Sequence, residues 1–534
     1  MMATRVGSPR ALKRLAMSRA SEGTPLAYFT TDPGPVRAPS GGKVEGMESG
    51  RFVITGLPGT ELPTDLAALW RRYRVGGVIL FRYNIKNPEQ LRRLAADLLE
   101  VLGPEAIISV DQEGGAVLRL PFLPSPPPGM SLGAADDPEL ARAVGAATAR
   151  GLAAYGFNLN FAPVLDLNTN PANPVIAERS FGADPERASE LALAWNEGHL
   201  AAGVATTGKH FPGHGDTTVD SHLGLPVVNK RLDELRRLEL VPFARAADRL
   251  PALMTAHIVY PELDGELPAT LSRRILTGLL REELGYDGVV VSDALNMRAV
   301  ADHWGAPEAA LLSLKAGADL VMPLGDLELQ EATLARLQEA LESGELPRRQ
   351  AEASAERVTR LARAYPARLS EYGEGRLTAD RELFARAWKA GLTAIGEPAP
   401  PPSGARLRVV AQERPSGDGV SEAGASGAEL LRRLEEHWRV EPIFVSDPSE
   451  VPALHLPTDE AFNLLISNSR RLYPRTSWNW RPRLHVALWN PFAAATAPAP
   501  ALLSYGFRAE ALEAVLAWLR GEARARGRLP APLQ

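Results

Sequence analysis

Cysteine is missing from all 534 residues, which excludes disulfides, zinc–thiolate sites and a cysteine nucleophile and is compatible with a reducing compartment. Long apolar runs are missing too, since none approaches the ~20 residues that a membrane-crossing helix needs. A large excess of one sign of charge is absent, with a formal net charge of −5 over the whole chain. That balance offers no field for nucleic acid or an anionic membrane, and points to a neutral or weakly polar small molecule. Histidine is scarce at nine residues, yet three of them fall within "KHFPGHGDTTVDSH", residues 209–222.

A chain of this length exceeds one ordinary core and predicts at least two domains, and 45% hydrophobic with 23% charged residues is ordinary for globular protein. Residues 1–46 read as a disordered extension or a misplaced start. They carry five basic residues before the first acid and no apolar core of a secretory signal, so a cytoplasmic location is expected. From 47 onward, short β-branched runs alternate with amphipathic stretches of helical length. Eight such runs occur: "RFVITG", "GGVILF", "AIISVD", "FNLNFAP", "VATTGKH", "ALMTAH", "GVVVSD" and "ADLVMP". Asn87, Asp137 and Asp184, each followed by proline and then glutamate, predict helix N-caps.

Eight strand–helix units over residues 47–345 predict an α/β chain opening with a (β/α)8 barrel, with an open doubly wound sheet as the rival. A helical connection and linker is expected over 346–404 and a smaller α/β sandwich domain, with a parallel sheet, over 405–534. Barrel enzymes place their chemistry at the C-terminal ends of the strands, where Asp111, Lys209, His210, His257 and Asp293 fall here.

Three readings of the 209–222 stretch compete. His210 and His214 have the i, i+4 spacing of a helical zinc site, but Pro212, Gly213 and Gly215 argue for a loop. His214 alone reads equally as a hydrogen-bonded structural histidine. In a proton-transfer loop, Asp220 two residues before His222 fixes one ring nitrogen and leaves the other to give or take a proton. Asp293 ends an apolar strand, where a carboxylate is costly unless paired or functional. Together Asp293 and His222 fit the two roles of a retaining glycosidase, with histidine in place of the usual second carboxylate.

"KHFPGHGDTTVDSH", "DQEGGAVLRL", "ERSFG", "MTAHIVYPELDGELPATLS" and "GVVVSDALNM" stand in the order seen in bacterial β-N-acetylglucosaminidases of glycoside hydrolase family 3, which residues 47–345 resemble. The resemblance implies Asp293 as nucleophile and the Asp220–His222 dyad as acid/base. It also implies a sugar subsite lined by Asp111, Arg119, Arg179, Lys209 and His210, with a sugar as the small-molecule partner; no cofactor and no metal are expected. Ala116 and Ala294 depart from residues common in that family. "LWNPF", "LLSYGF" and "GRLPAPL" are similar to the closing segments of its second domain. A phosphorylase using the same residues, a metal-dependent hydrolase and a non-catalytic sugar-binding barrel are the remaining expectations.

Overall fold

The computed structural model describes residues 47–222 and 224–533, so the reading of residues 1–46 lies outside the described residues. All eight expected runs form strands: β1 (Ile54–Thr55), β2 (Gly77–Leu80), β3 (Ile107–Val110), β4 (Leu159–Asn160), β5 (Ala205–Phe211), β6 (Ala252–Thr255), β7 (Val289–Ala294) and β8 (Leu320–Met322). They pair in sequence order, every neighbour parallel. A parallel bridge between Val53 and Val321 brings the last strand back to the first, which gives a barrel and not an open sheet.

Side chains alternate across each strand. One face supplies Ile54, Ile79, Ile107, Leu159, Val289 and Leu320 to a single apolar cluster inside the barrel. The other face, with Val78, Leu80, Ile108 and Val110, packs with Leu91, Leu94 and Leu98 of the helix Pro88–Leu102. Helix starts follow the expected caps: the side chains of Asn87, Asp137 and Asp184 accept from Gln90, from Glu139 and Leu140, and from Arg187. Each such cap contributes about 1 kcal/mol.

The floor of the barrel is covered by the helix Arg348–Ala364, whose Val358 and Leu361 join the interior cluster. Full burial of such side chains contributes about 1.5–3 kcal/mol each. The same helix also makes the exposed ion pair Arg360–Asp287, a type of contact that contributes about 0–1 kcal/mol. Ser354 of the same helix also donates to the buried Asp319 at 2.7 Å, so apolar burial and this buried bond together hold the floor.

The stretch around 345–395 is mostly helical as expected, but the helix Glu374–Gly391 stops short of 395 and β9 (Thr393–Ile395) follows. The second domain carries β10 (Arg406–Gln412), β11 (Arg439–Val445), β12 (Phe462–Ser467), β13 (Leu484–Ala487) and β14 (Ala501–Leu503). Its order is β11-β10-β12-β13-β14-β9, and β9 runs antiparallel to β14, so the sheet is mixed where a parallel one was expected. Among the described residues, no helix is long and apolar enough to cross a membrane.

The two domains meet through a buried carboxylate. Glu178, on the barrel, accepts from Arg470 at 2.6 Å and from the Trp489 indole at 2.9 Å, both on the second domain. Arg470 also donates to the Val175 carbonyl at 2.8 Å. Removing one partner of a buried pair strands the other charge at a cost of about 3–5 kcal/mol. Arg470→Ala is therefore expected to lower the midpoint of thermal unfolding measured by calorimetry, and Arg470→Ala with Glu178→Gln to lower it less. An unchanged midpoint in the single variant would contradict a charged pair at this junction.

Candidate active site

Stepping by two along β3, β5 and β7 from the interior residues Ile107, Ala205 and Val289 leads to Asp111, Lys209 and Asp293 at the C-terminal mouth. The pleat thus aims a carboxylate, an ammonium and a second carboxylate into one space. Lys209 Nζ lies 2.7 Å from Asp111 and 2.6 Å from Glu113. Arg179 grips Glu113 with two parallel bonds of 2.8 and 2.9 Å, the strong bidentate geometry. Burial would push Glu113 up, but Arg179 and Lys209 outweigh it and hold the carboxylate well below its ordinary value. Burial likewise works against the Lys209 charge, and Asp111 and Glu113 more than restore it.

Arg119 stands 4.0 Å from Asp111 and donates at 2.8 Å to Glu422 and at 2.8 Å to the Val420 carbonyl, both from the second domain. The cluster therefore sets Asp111, Glu113 and Glu422 against Arg119, Arg179 and Lys209, three charges of each sign. Of the five residues expected around a ligand, four meet here, and Arg179 is sequestered on Glu113.

His210, the fifth, has Nδ1 2.6 Å from Asp166. The backbone amides of His210 and His214 donate to the other Asp166 oxygen at 3.1 and 2.6 Å. Burial would raise Asp166, but His210 and His214 with these bonds lower it.

His214 points inward, with Nδ1 2.9 Å from the Thr217 hydroxyl and Nε2 3.1 Å from that of Ser221. Burial and the neighbouring His210 lower it to about 4, so it is a neutral ring tying the loop to itself. The stretch after β5 is a loop, not a helix, and the i, i+4 zinc geometry is not formed. Its path requires Gly215, where a Cβ would lie 1.7 Å from the Leu167 carbonyl oxygen. Among the described residues no three His, Asp or Glu side chains form a group able to hold a metal ion.

Farther along the loop, Asp220 Oδ1 meets Nδ1 of His222 at 2.8 Å and its backbone amide at 2.9 Å. A carboxylate only accepts, so Nδ1 carries a proton and Nε2 is the exchangeable position. Burial works against the imidazolium, but the Asp220 hydrogen bond and the charges of Asp293 and Asp220 raise His222 above its ordinary value. For Asp293, partial desolvation is outweighed by His257, His210 and His222, and its carboxyl is lowered. Its Oδ1 accepts from the Ala294 amide at 2.7 Å. His257 is wholly buried; its Nε2 donates to the Ala294 carbonyl at 3.0 Å and its Nδ1 lies 2.8 Å from Thr270. It braces the backbone beside Asp293.

The profile of the glycosyl hydrolase family 3 N-terminal domain matches residues 51–361, more than half of the chain. The chain belongs to glycosyl hydrolase family 3. Similar family relatives include a beta-hexosaminidase from Pseudomonas aeruginosa (strain LESB58), 44% identical over 290 residues that make up 53% of this chain and 85% of that protein. The beta-hexosaminidase A of Pseudoalteromonas piscicida is 40% identical over 336 residues, 58% of this chain, and the match spans only 56% of that relative's length. Among solved structures, a family 3 beta-N-acetylglucosaminidase from Paenibacillus sp. str. FPU-7 superposes with a TM-score of 0.80 at 32% identity. It covers 91% of this chain and 98% of its own.

Glu113, Asp166, Gly419 and Glu422 escape the sequence reading. Glu113 had a signal, since it follows Asp111 by two residues at a strand end, and Asp166 is an acid just past the fourth apolar run. The pairing of Asp220 with His222 predicts its own test. Asp220→Asn removes a charge that raises the imidazole and weakens the bond at Nδ1, leaving Asp293 alone to oppose burial, so the His222 pKa should fall in an NMR titration of its ring protons. A value unmoved or higher would break the assignment.

Proposed function

We propose that this family 3 chain is a retaining, exo-acting β-N-acetylglucosaminidase that removes terminal N-acetylglucosamine through a glycosyl-aspartate intermediate. The observation that carries the reading is the pairing of an anionic Asp293 with a proton-bearing His222–Asp220 dyad at one barrel mouth. An Asp293 oxygen attacks the anomeric carbon while His222 Nε2 gives its proton to the departing glycosidic oxygen. The neutral imidazole then takes a proton from water as the water oxygen displaces Asp293. The carboxylate and the imidazolium are both regenerated, and Asp220 stabilises the charged ring in each half.

Asp111, Arg119, Lys209 and His210 would hold the sugar, with Arg179 acting through Glu113. A cluster whose charges cancel suits an uncharged ring that offers hydroxyls and an amide. The names of the relatives support the N-acetyl sugar. Oligosaccharides derived from cell wall or chitin are the proposed substrates, and the chain would act in the cytoplasm without a cofactor.

The test is nitrophenol release from the 4-nitrophenyl β-glycosides of N-acetylglucosamine and of glucose, with EDTA throughout and with or without phosphate. Preference for the N-acetyl sugar, indifferent to chelator and phosphate, is expected. A rate that requires phosphate would make the protein a phosphorylase, and loss of activity with EDTA would make it a metal enzyme. Asp293→Ala should cut turnover by roughly 10³-fold or more. The profile of kcat/KM against pH should rise as Asp293 loses its proton, below the ordinary carboxyl value of about 3.9, and fall as His222 loses its own, above about 6.5. An alkaline limb well below 6.5 would remove His222 as the acid.

A further inference from the structure

The second domain reaches the mouth through the loop 413–426, between β10 and the helix Gly427–Glu435. Several bonds fasten it to the barrel. The Glu422 amide donates to the Ala116 carbonyl at 3.0 Å, and Arg119 holds both Glu422 and the Val420 carbonyl. Val420 packs against a small apolar cluster of Val164, Val175 and Ile176. Asp418 caps the tip by accepting from the amides of Val420 and Ser421, at 2.8 and 2.6 Å, and faces Arg470 at 3.4 Å.

Between these fixings sits Gly419, directly against the acid/base imidazole. A Cβ built on Gly419 would lie 2.9 Å from Cδ2, 3.0 Å from Cγ and 3.3 Å from Cβ of His222. The ring is therefore gripped on two sides. Asp220 holds Nδ1, the Gly419 backbone covers the Cγ–Cδ2 edge, and Nε2 is the polar atom left over. Gly419 is outside the left-handed region of backbone space, so its lack of a side chain answers to the close approach and not to a turn.

We propose that the 413–426 loop is a strap that fixes the orientation of His222, with Gly419 as its positioning residue, so that the second domain takes part in proton transfer. The inference rests on the reading of His222 as the acid. Its chemical consequence is selective. A displaced imidazole costs most where the leaving oxygen needs a proton and little where the leaving group departs as a stable anion.

The experiment compares the parent, Gly419→Ala, His222→Ala and the double variant on an alkyl and a 2,4-dinitrophenyl β-glycoside of N-acetylglucosamine. Gly419→Ala should lower kcat on the alkyl glycoside by about 10–10²-fold, the scale of a small misplacement of a reacting group. It should leave kcat/KM for the dinitrophenyl glycoside, which reports the first half-reaction alone, near that of the parent, and this also reports an intact fold. In the double variant the glycine change should add nothing to the loss from His222→Ala, because both act through one ring. Equal losses on both substrates, no loss on either, or additive losses in the double variant would overturn the strap. If His222→Ala itself does not discriminate between the leaving groups, the acid assignment fails instead, and the two failures are told apart.

Discussion

The closed parallel sheet imposes the constraint on which the rest depends: each strand must send alternate side chains inward. Along β3, β5 and β7 that rule sets an apolar residue at the base of each column, Ile107, Ala205 and Val289, and an ionisable group at its top. Apolar burial below holds the column and, through the helix Arg348–Ala364, covers its base. The ionisable ends then have only one direction in which to meet water.

Groups so placed lose hydration, and the cost is met by mutual pairing. Burial works against the charge of Glu113, and Arg179 and Lys209 restore it; burial works against the charge of Lys209, and Asp111 and Glu113 restore it. Asp166 does the same for the backbone that carries His210 and His214. The mouth is thus a set of charges held by one another at fixed spacing. Its electrostatic preorganisation exists before any ligand arrives.

Much of this was legible in the chain because its causes are local. Strand periodicity and the capping asparagine and aspartates mark every barrel strand and three helix starts, and strand ends place Asp111, Lys209 and Asp293 on one side. The loop reading also follows from Pro212, Gly213 and Gly215. β9 was missed because its "TAI" continues the helical pattern before it. Glu113 and Asp166 were hidden by their purpose, since acids that serve other ionisable groups look like ordinary acids. Gly419 and Glu422 had no signal at all, because their meaning comes from a docking of domains that no local pattern encodes.

The strap also gives the chain a timetable. Gly419 and Glu422 lie about 100 residues after β8, so a ribosome adding ~5–20 residues per second delivers them some 5–20 s after the last barrel strand. During that interval a nascent barrel can close while Arg119 lacks its carboxylate and the His222 ring lacks its cover. Its open mouth is then exposed to chaperones and proteases. Completion of the second domain ends this exposure, which makes the finished chain its own quality check.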